Sequence, residues 1–284
     1  MWRRAAEVAR SEGKHLPAAG QRVAIVGCGT SLYMGQAWAA AREQAGQGET
    51  DAFTPSEALP RSYDWVVALS RSGTTTEVLD YMKNLGGGTR KLAVTGTPNS
   101  PIIDICEHTV LLDFADERSP MQTRFATSAL TLLRTHLGGL DVDSLADAAE
   151  KALAEPLPVD PPSVRQFVFL GHGLGVGLAR EAGLKLQEAA GAWTEAYPST
   201  EFRHGPSSAI DAKSVVWAFS PAPSGMADHV KQAGAKFIQA ERDPMVELVV
   251  AHRVAIALVE AKGLEPDNIL CGSRSVIIPA DPES

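Results

Sequence analysis

One stretch of this 284-residue sequence is echoed later in the same chain, and the echo restricts the folds that the chain can adopt. Residues 167–175 (FVFLGHGLG) match residues 23–31 (VAIVGCGTS) at an offset of 144, which is 167 minus 23. Residues 215–220 (VVWAFS) echo residues 65–70 (WVVALS) at an offset of 150, which is 215 minus 65. Two matches in the same order and at nearly the same offset indicate a duplicated structural unit.

Each copy of this unit combines short apolar runs with longer helical patterns. The first half contains four such runs, at Val23–Val26, Trp65–Leu69, Lys91–Val94 and Thr109–Leu112. Alternation of β-branched runs with helical patterns is typical of βα units that build a parallel sheet. We therefore predict an α/β fold made of two duplicated αβα subdomains with parallel sheets.

A proline-dense segment divides the two halves. Residues 155–162 (EPLPVDPP) can continue neither a helix nor a central strand, because proline lacks a backbone N–H donor. We predict a first subdomain at 1–154, a connector at 155–162 and a second subdomain at 163–284. A C-terminal helix at Pro244–Lys262 is too apolar for a one-sided surface helix, which predicts that it packs into a core or a dimer interface.

Charge and composition exclude several classes of protein. Lys and Arg number 26 against 34 Asp and Glu, so the net charge of -8 has the wrong sign for binding nucleic acid or an anionic membrane. No apolar stretch approaches the roughly 18 residues of a membrane span. The three cysteines are far apart and form no CxxC pair, which suits the cytoplasm and gives no structural zinc site.

A hydroxyl-rich turn follows the second apolar run. Ser70-Arg71-Ser72-Gly73-Thr74-Thr75 lies between the strand pattern and the helical pattern that starts near Glu77. A helix N-terminus offers unpaired N–H donors and a positive dipole end, so this turn is a candidate phosphate site. The alternative is an ordinary polar loop whose hydroxyl caps the next helix.

A second group of candidate residues follows the repeated strand. Glu181, Lys185 and Glu188 fall on one helix face by their i, i+4 and i+3 spacing, and His204 lies in the turn EFRHGP. Taken alone, the helix residues fit a surface ladder of ion pairs and His204 fits a loop histidine. The acidic run Asp113, Asp116 and Glu117 has no histidine at ligand spacing, so we expect a solvated loop there rather than a metal site.

Taken together, these motifs resemble one family. The elements GCGTS at 27–31, SRSGTT at 70–75, the helix 181–188 and EFRHGP at 201–206 are similar, in order and spacing, to the sugar isomerase (SIS) domain family. More narrowly, they resemble the isomerase half of glucosamine-6-phosphate synthase and its stand-alone relatives, the AgaS-like ketose/aldose isomerases and fructosamine-6-phosphate deglycases. The resemblance implies two flavodoxin-like subdomains, and it covers nearly the whole chain.

The resemblance also implies which residues hold the substrate. The phosphate of a sugar phosphate would be bound by Ser31, Ser70, Arg71, Ser72, Gly73 and Thr75. Weaker substrate contacts would come from Gly29, Thr30 and Gln122. Neither a metal nor an organic cofactor is implied.

Catalytic roles follow from the same resemblance. Glu188 would move a proton between C1 and C2 through an enediol or enolamine, with Lys185 beside it. His204 would open the sugar ring, reaching in from the partner subunit of a homodimer with composite sites. One carboxylate on a rigid helix can serve two adjacent carbons, and imidazole titrates near neutrality, so both residue types suit their tasks.

Departures from the synthase pattern shape the expected function. The first predicted strand already begins at Val23, and no glutaminase domain precedes it, so we expect no glutaminase activity. Arg274 stands where the synthase has an imine-forming lysine, and an arginine polarises an oxygen instead, because it stays protonated. We expect a phosphosugar aldose–ketose isomerase. A variant of the same reaction couples the isomerisation to loss of an amine, as in the deaminase and deglycase relatives. The alternative is a non-catalytic phosphosugar-binding or sensing module.

Overall fold

The computed structural model describes residues 1–265, 267 and 276–278. Within this part of the chain, the strands form two all-parallel sheets. The first sheet contains β1 (Val23–Val26), β2 (Thr50–Phe53), β3 (Trp65–Leu69), β4 (Arg90–Thr95) and β5 (His108–Leu111), in the order β2-β1-β3-β4-β5. The second contains β6 (Gln166–Gly171), β7 (Trp193–Pro198), β8 (Ser214–Ala218) and β9 (Lys236–Gln239), in the order β7-β6-β8-β9.

Helices connect the strands and cover both sheets. They are α1 (Trp2–Glu12), α2 (Thr30–Gln44), α3 (Thr76–Asn84), α4 (Pro101–Ile105), α5 (Arg124–Leu137), α6 (Val142–Ala152), α7 (Leu174–Ala190), α8 (Met226–Gln232) and α9 (Pro244–Ala261). The predicted α/β class with parallel sheets is confirmed. No described helix is long and apolar enough to cross a membrane.

The two sheets repeat one arrangement, as the sequence echo predicts. In the first sheet β1 pairs with β2 and β3, and in the second β6 pairs with β7 and β8. The turn after the first strand of each sheet has the same backbone shape, with φ 56° and ψ -125° at Gly29 and φ 54° and ψ -127° at Gly173. A positive φ is costly for residues with a Cβ, so glycine at both positions permits the same strand-to-helix turn.

The strands that the sequence missed lie at the sheet edges. β2 and β9 are mostly half-exposed, and β7 has one buried residue, Thr194, with half-buried residues in its middle and exposed residues at both ends. The predicted strands β1, β3 and β8 are buried throughout and lie inside their sheets. An edge strand faces neighbours on one side only, so it lacks the continuous apolar run that identifies a central parallel strand.

One hydrophobic core joins the two halves. It contains Val23 and Phe125 from the first half and Phe169 and Leu248 from the second. Helices α2 and α7 pack so closely that a Cβ at Gly177 would collide with the backbone of Tyr33 and Ala37. The apolar helix α9 packs against α7 with most of its surface buried, which confirms its predicted place in a core. The subdomain boundary at 155–162 stays a prediction.

Candidate active site

The hydroxyl-rich turn is folded tightly between β3 and α3. Ser70 and Ser72 are buried, with 4% and 7% of their surface exposed. The N–H of Gly73 donates to Oγ of Ser70 at 3.2 Å, and Oγ1 of Thr74 donates to Oγ of Ser72 at 3.0 Å. Gly73 has φ +63°, and a Cβ there would collide with the side chain of Ser100. Only glycine satisfies both constraints, which fits the tight turn that the sequence predicts.

The other predicted phosphate-binding residues lie at the same edge of the sheet. β1 and β3 are parallel neighbours, so the segments after their carboxyl ends lie side by side. Thr30 and Ser31 begin α2 after β1 and are both 4% exposed, and Thr75 is the N-cap residue of α3 after β3. The fold therefore brings together two helix N-termini and their hydroxyls at a topological switch point.

Arg71 has an anchoring function that the sequence did not reveal. Its side chain is 1% exposed, and its guanidinium donates to the carbonyl oxygens of Ser119 at 2.7 Å and Pro120 at 3.0 Å. These bonds join the hydroxyl-rich turn to the segment that precedes α5. Direct contact between Arg71 and a substrate phosphate stays a prediction.

Glu117 corrects the expectation of a solvated acidic loop. Its carboxylate is buried, and it accepts hydrogen bonds from the backbone N–H groups of Thr123 at 2.9 Å and Phe125 at 3.1 Å. The N–H of Arg124 also donates to it, at 3.2 Å. A negative charge that accepts several N–H donors at a helix N-terminus is stabilised there. Glu117 therefore fixes the start of α5, and the solvated-loop interpretation is wrong for this residue.

The charged residues of α7 form a buried row rather than a surface ladder. The side chains of Glu181 and Lys185 are 0% and 2% exposed, and that of Glu188 is 28% exposed. Nζ of Lys185 lies 3.5 Å from Oε1 of Glu181 and 2.5 Å from Oε2 of Glu188. The surface interpretation is wrong because α7 is enclosed by α2, α9 and its own sheet.

Burial also changes the protonation of this row. Burial raises the pKa of Glu181 to about 7, and the nearby Lys185 ammonium and the Thr30 side chain only partly oppose that effect. Burial by itself would lower the pKa of Lys185, but the carboxylates of Glu181 and Glu188 outweigh it and leave that pKa raised. Lys185 is therefore a buried ammonium that its two neighbouring carboxyl groups keep charged at neutral pH.

A cavity of about 430 Å³ opens beside this row. It lies between the segment before α5 and the helices α7 and α9. Its wall is formed by Glu117, Arg118, Ser119, Met121, Thr123, Arg124, Lys185, Ala189, His252, Ala255, Ile256, Val259 and Asp267. Five of these thirteen residues are apolar and the other eight are polar or charged, so the cavity offers several hydrogen-bonding and ionic groups to a ligand. Ser119 lies in the cavity wall, and Arg71 of the hydroxyl-rich turn donates a hydrogen bond to its carbonyl oxygen. The cavity therefore adjoins this turn.

The structure brings some predicted site residues to this cavity and leaves others elsewhere. Lys185 lies in its wall, and Glu188 is tied to Lys185 from the neighbouring turn of α7. His204 is exposed, after a short 3-10 turn beyond β7, and is not among the cavity residues. Gln122 lies between cavity residues Met121 and Thr123 without lining the wall itself.

Arg274 lies outside the described residues, but a nearby part of the tail is described. The N–H of Thr76 donates to the carbonyl of Val276 at 3.2 Å, and the N–H of Ile278 donates to Oγ1 of Thr76 at 2.9 Å. Residues 276–278 therefore lie against the first turn of α3, next to the hydroxyl-rich turn.

Among the cavity residues that sequence reasoning missed, four carry ionisable side chains next to the α7 row or the start of α5. Arg118 and Arg124 flank a segment with no recognisable pattern, and Glu117 was interpreted as solvated. His252 is an imidazole within the apolar run of α9, and that contrast in polarity was the available signal. A histidine in an apolar helix is more often a core residue whose ring nitrogens are hydrogen-bonded. Its position beside Lys185 is therefore visible only in the packing of α9 on α7.

Comparison with known proteins first defines the class of fold. The structure aligns with a glucosamine-6-phosphate deaminase from Thermotoga maritima at a TM-score of 0.79 and 20% identity, covering 96% of each chain. It aligns with tagatose-6-phosphate ketose/aldose isomerase from Escherichia coli at a TM-score of 0.77 and 17% identity, covering 96% of this chain and 90% of that one. The chain therefore shares the fold of this phosphosugar deaminase and this phosphosugar isomerase.

Sequence comparison then identifies the relatives more narrowly. The chain is 29% identical over 258 residues to a glutamine–fructose-6-phosphate aminotransferase (isomerizing) of Xylella fastidiosa, covering 78% of this chain and 42% of that protein. A match to the Sulfurisphaera tokodaii aminotransferase, at 26% identity over 207 residues, covers 67% of this chain and 35% of that protein.

These matches concern one part of the larger proteins. The chain spans about two fifths of the length of the aminotransferases that it matches. No protein-family model matches the chain. The resemblance inferred from the motifs is nevertheless confirmed, because the homologues are the isomerase halves of these aminotransferases and the structural neighbours are phosphosugar isomerases and a deaminase.

Proposed function

We propose that this protein is a phosphosugar aldose–ketose isomerase that transfers a proton between C1 and C2 through an enediol or enolamine. In the deaminase or deglycase variant of the reaction, the enolamine would tautomerise to an imine, and one water molecule would hydrolyse the imine to the sugar carbonyl and the free amine. The observation that carries the proposal is the buried row Glu181–Lys185–Glu188 beside a cavity that adjoins a hydroxyl-rich helix N-terminus. The relatives named for fructose 6-phosphate, glucosamine 6-phosphate and tagatose 6-phosphate support this substrate class.

The phosphate would bind at the edge of the first sheet. Ser31, Ser70, Ser72 and Thr75 offer hydroxyls there, and the N-termini of α2 and α3 offer backbone N–H groups. Gly73 permits the backbone to turn closely around the anion, and Arg71 holds the turn against Ser119 and Pro120. We assign weaker contacts with the substrate to Gly29, Thr30 and Gln122. Because the protein's net charge is -8, binding of an anion depends on these local donors.

The proton transfer would use the α7 row. Glu188 is the partly exposed carboxylate of the row and serves as the base that moves the proton from one carbon to the next. The charged ammonium of Lys185, in the cavity wall, stabilises negative charge that develops on the substrate oxygen. We assign Arg274 the same polarising function from its position in the sequence.

Ring opening would use His204 from a second copy of the chain. The exposed position of His204 is compatible with a composite site at a two-fold interface. We therefore propose a homodimer, and from the cysteine content a cytoplasmic location.

The second candidate function is a phosphosugar-binding module without turnover. Such a module needs the hydroxyl-rich turn but has no use for a lysine buried between two carboxyl groups. Burying this row costs free energy that apolar side chains would avoid. The row therefore favours catalysis over binding alone.

Proton NMR in D2O tests the proposal. The purified protein is incubated with fructose 6-phosphate, glucosamine 6-phosphate, tagatose 6-phosphate and a fructosamine 6-phosphate, and exchange of the C1 and C2 protons is followed. We expect exchange with at least one substrate and a loss of at least about 100-fold in Glu188→Gln, which keeps its affinity for the sugar phosphate. Glu260→Gln, at an exposed position of α9, is the matched control. Binding without exchange in the wild-type protein would favour the binding module.

A further inference from the structure

His252 is a polar residue in an otherwise apolar part of the cavity wall. It belongs to α9, whose neighbouring wall residues are Ala255, Ile256 and Val259. Its Nε2 atom is buried and has no hydrogen-bond partner among the described residues. A buried polar atom without a partner is destabilising, so such atoms are rare and call for an explanation. A ligand that enters the cavity would supply the missing partner.

The charge state of His252 limits what it can do. Burial, and then the nearby Lys185 ammonium, lower the pKa of the imidazole to about 3. The imidazole is therefore neutral at physiological pH, with one donor and one acceptor nitrogen. A group whose pKa is lowered this far is a poor base near pH 7, so we assign His252 a hydrogen bond to the ligand rather than a proton transfer.

The surroundings of His252 separate this contact from the phosphate site. The cationic groups that share its cavity are Lys185, Arg118 and Arg124, and the acidic ones are Glu117 and Asp267. Glu117 is already engaged by the backbone at the start of α5. The hydroxyls that we assign to the phosphate, on Ser31, Ser70, Ser72 and Thr75, are not among the residues of this cavity wall. We therefore assign His252 to the sugar part of the ligand rather than to its phosphate.

We propose that His252 is a substrate-contacting residue that determines specificity: its imidazole lies in the wall of the cavity that Lys185 shares, and a turn of the ring about the Cβ–Cγ bond brings the buried Nε2 to a hydroxyl of the bound sugar phosphate. This inference rests on the proposed function in one respect, namely that the cavity receives a sugar phosphate. It does not require that the sugar phosphate reacts. The site therefore has two recognition elements, one for the phosphate and one for the sugar hydroxyls.

Two substitutions at position 252 test the contact. His252→Phe removes both ring nitrogens and keeps an aromatic side chain, whereas His252→Gln keeps a donor and an acceptor. Titration calorimetry measures the affinity of each variant for inorganic phosphate and for fructose 6-phosphate, glucosamine 6-phosphate and tagatose 6-phosphate. His229→Phe, at an exposed position of α8, is the matched control.

We expect His252→Phe to weaken the tightest-binding sugar phosphate by about threefold to tenfold and to leave inorganic phosphate unchanged. His252→Gln should recover part of this loss, and where turnover is measurable the KM should rise with little change in kcat. Equal affinities of His252→Phe and wild type for every sugar phosphate would overturn the inference. An equal loss for inorganic phosphate would also overturn it, since that result indicates general disruption of the site.

The calorimetry also separates this inference from the proposed function. A His252-dependent affinity without any C1 or C2 exchange supports the contact and rejects the isomerase. Exchange in the wild-type protein with no effect of His252→Phe on affinity or KM supports the isomerase and rejects the contact. If no sugar phosphate binds more tightly than inorganic phosphate, both are rejected.

Discussion

Nζ of Lys185 lies 2.5 Å from Oε2 of Glu188, and the lysine side chain is only 2% exposed. The two residues are one helical turn apart on α7, and Glu181 approaches the same ammonium from the preceding turn. A buried ion pair contributes little net stability, because desolvation of the charges offsets their attraction. The row is therefore better explained by the proton transfer that we propose for it than by stabilisation of the fold.

The raised pKa of Glu181 predicts a pH-dependent stability. The pKa is 4.5 for an ordinary glutamate and about 7 in the folded protein, so the native state binds more protons than the unfolded state between these values. The contribution of Glu181 to the free energy of unfolding is fully present below about pH 4.5 and is lost as the pH rises through 7. Replacing Glu181 by Gln removes this dependence of stability on pH.

Urea unfolding at pH 5 and pH 7.5 measures this effect. We expect the free energy of unfolding of wild type, relative to Glu181→Gln, to fall by up to about 3 kcal/mol over this range. Glu7→Gln, at an exposed position of α1, should show no such change. A constant difference between wild type and Glu181→Gln would contradict the assignment.

Gly73→Ala should damage the hydroxyl-rich turn. The substitution places a Cβ against Ser100 at a φ of +63°, so we expect a loss of about 1–3 kcal/mol in stability and weaker binding of inorganic phosphate. Gly86→Ala is the control, since a Cβ at that position meets no atom within 4 Å. Thermal unfolding and calorimetry with phosphate measure both effects. Unchanged phosphate affinity in a folded Gly73→Ala protein would remove this turn from the binding site.

Arg71→Lys should loosen the link between that turn and the cavity. Arginine bonds two carbonyls at once, whereas the lysine ammonium cannot reproduce the forked geometry. We expect a loss of about 1.5–3 kcal/mol in the free energy of unfolding, measured in urea. Arg165→Lys, an exposed ion-pair residue, should change stability by less than about 1 kcal/mol. Similar losses in the two variants would argue against the anchoring function.

Mixing two inactive variants tests the composite site. If each site combines Glu188 of one subunit with His204 of the other, a heterodimer of Glu188→Gln and His204→Asn contains one intact site. An equal mixture, unfolded and refolded together, should regain about a quarter of wild-type activity. Separately refolded variants mixed afterwards without exchange of subunits are the control. No recovery after joint refolding would place both residues in a single subunit.

The sequence predicts the central strands better than the edges. β1, β3 and β8 are continuous apolar runs because both faces of a parallel sheet are covered, and this pattern is visible without the fold. β2 and β9 escaped prediction because their exposed positions interrupt the run. The internal echo also indicated two similar sheets, since the strand-to-helix turns at Gly29 and Gly173 need glycine at matching places.

The sequence by itself determined the duplicated α/β architecture, the hydroxyl-rich turn and the single helix face shared by Glu181, Lys185 and Glu188. These features are local, because they depend on residue spacing within one element and on the need for glycine at a positive φ. Only the tertiary structure decided that this helix face is buried, that Glu117 caps α5 and that Arg71 anchors the segment before it. It also placed His252 beside Lys185. Burial and contact between distant segments depend on how α7 and α9 pack, and no spacing rule within either helix encodes that packing.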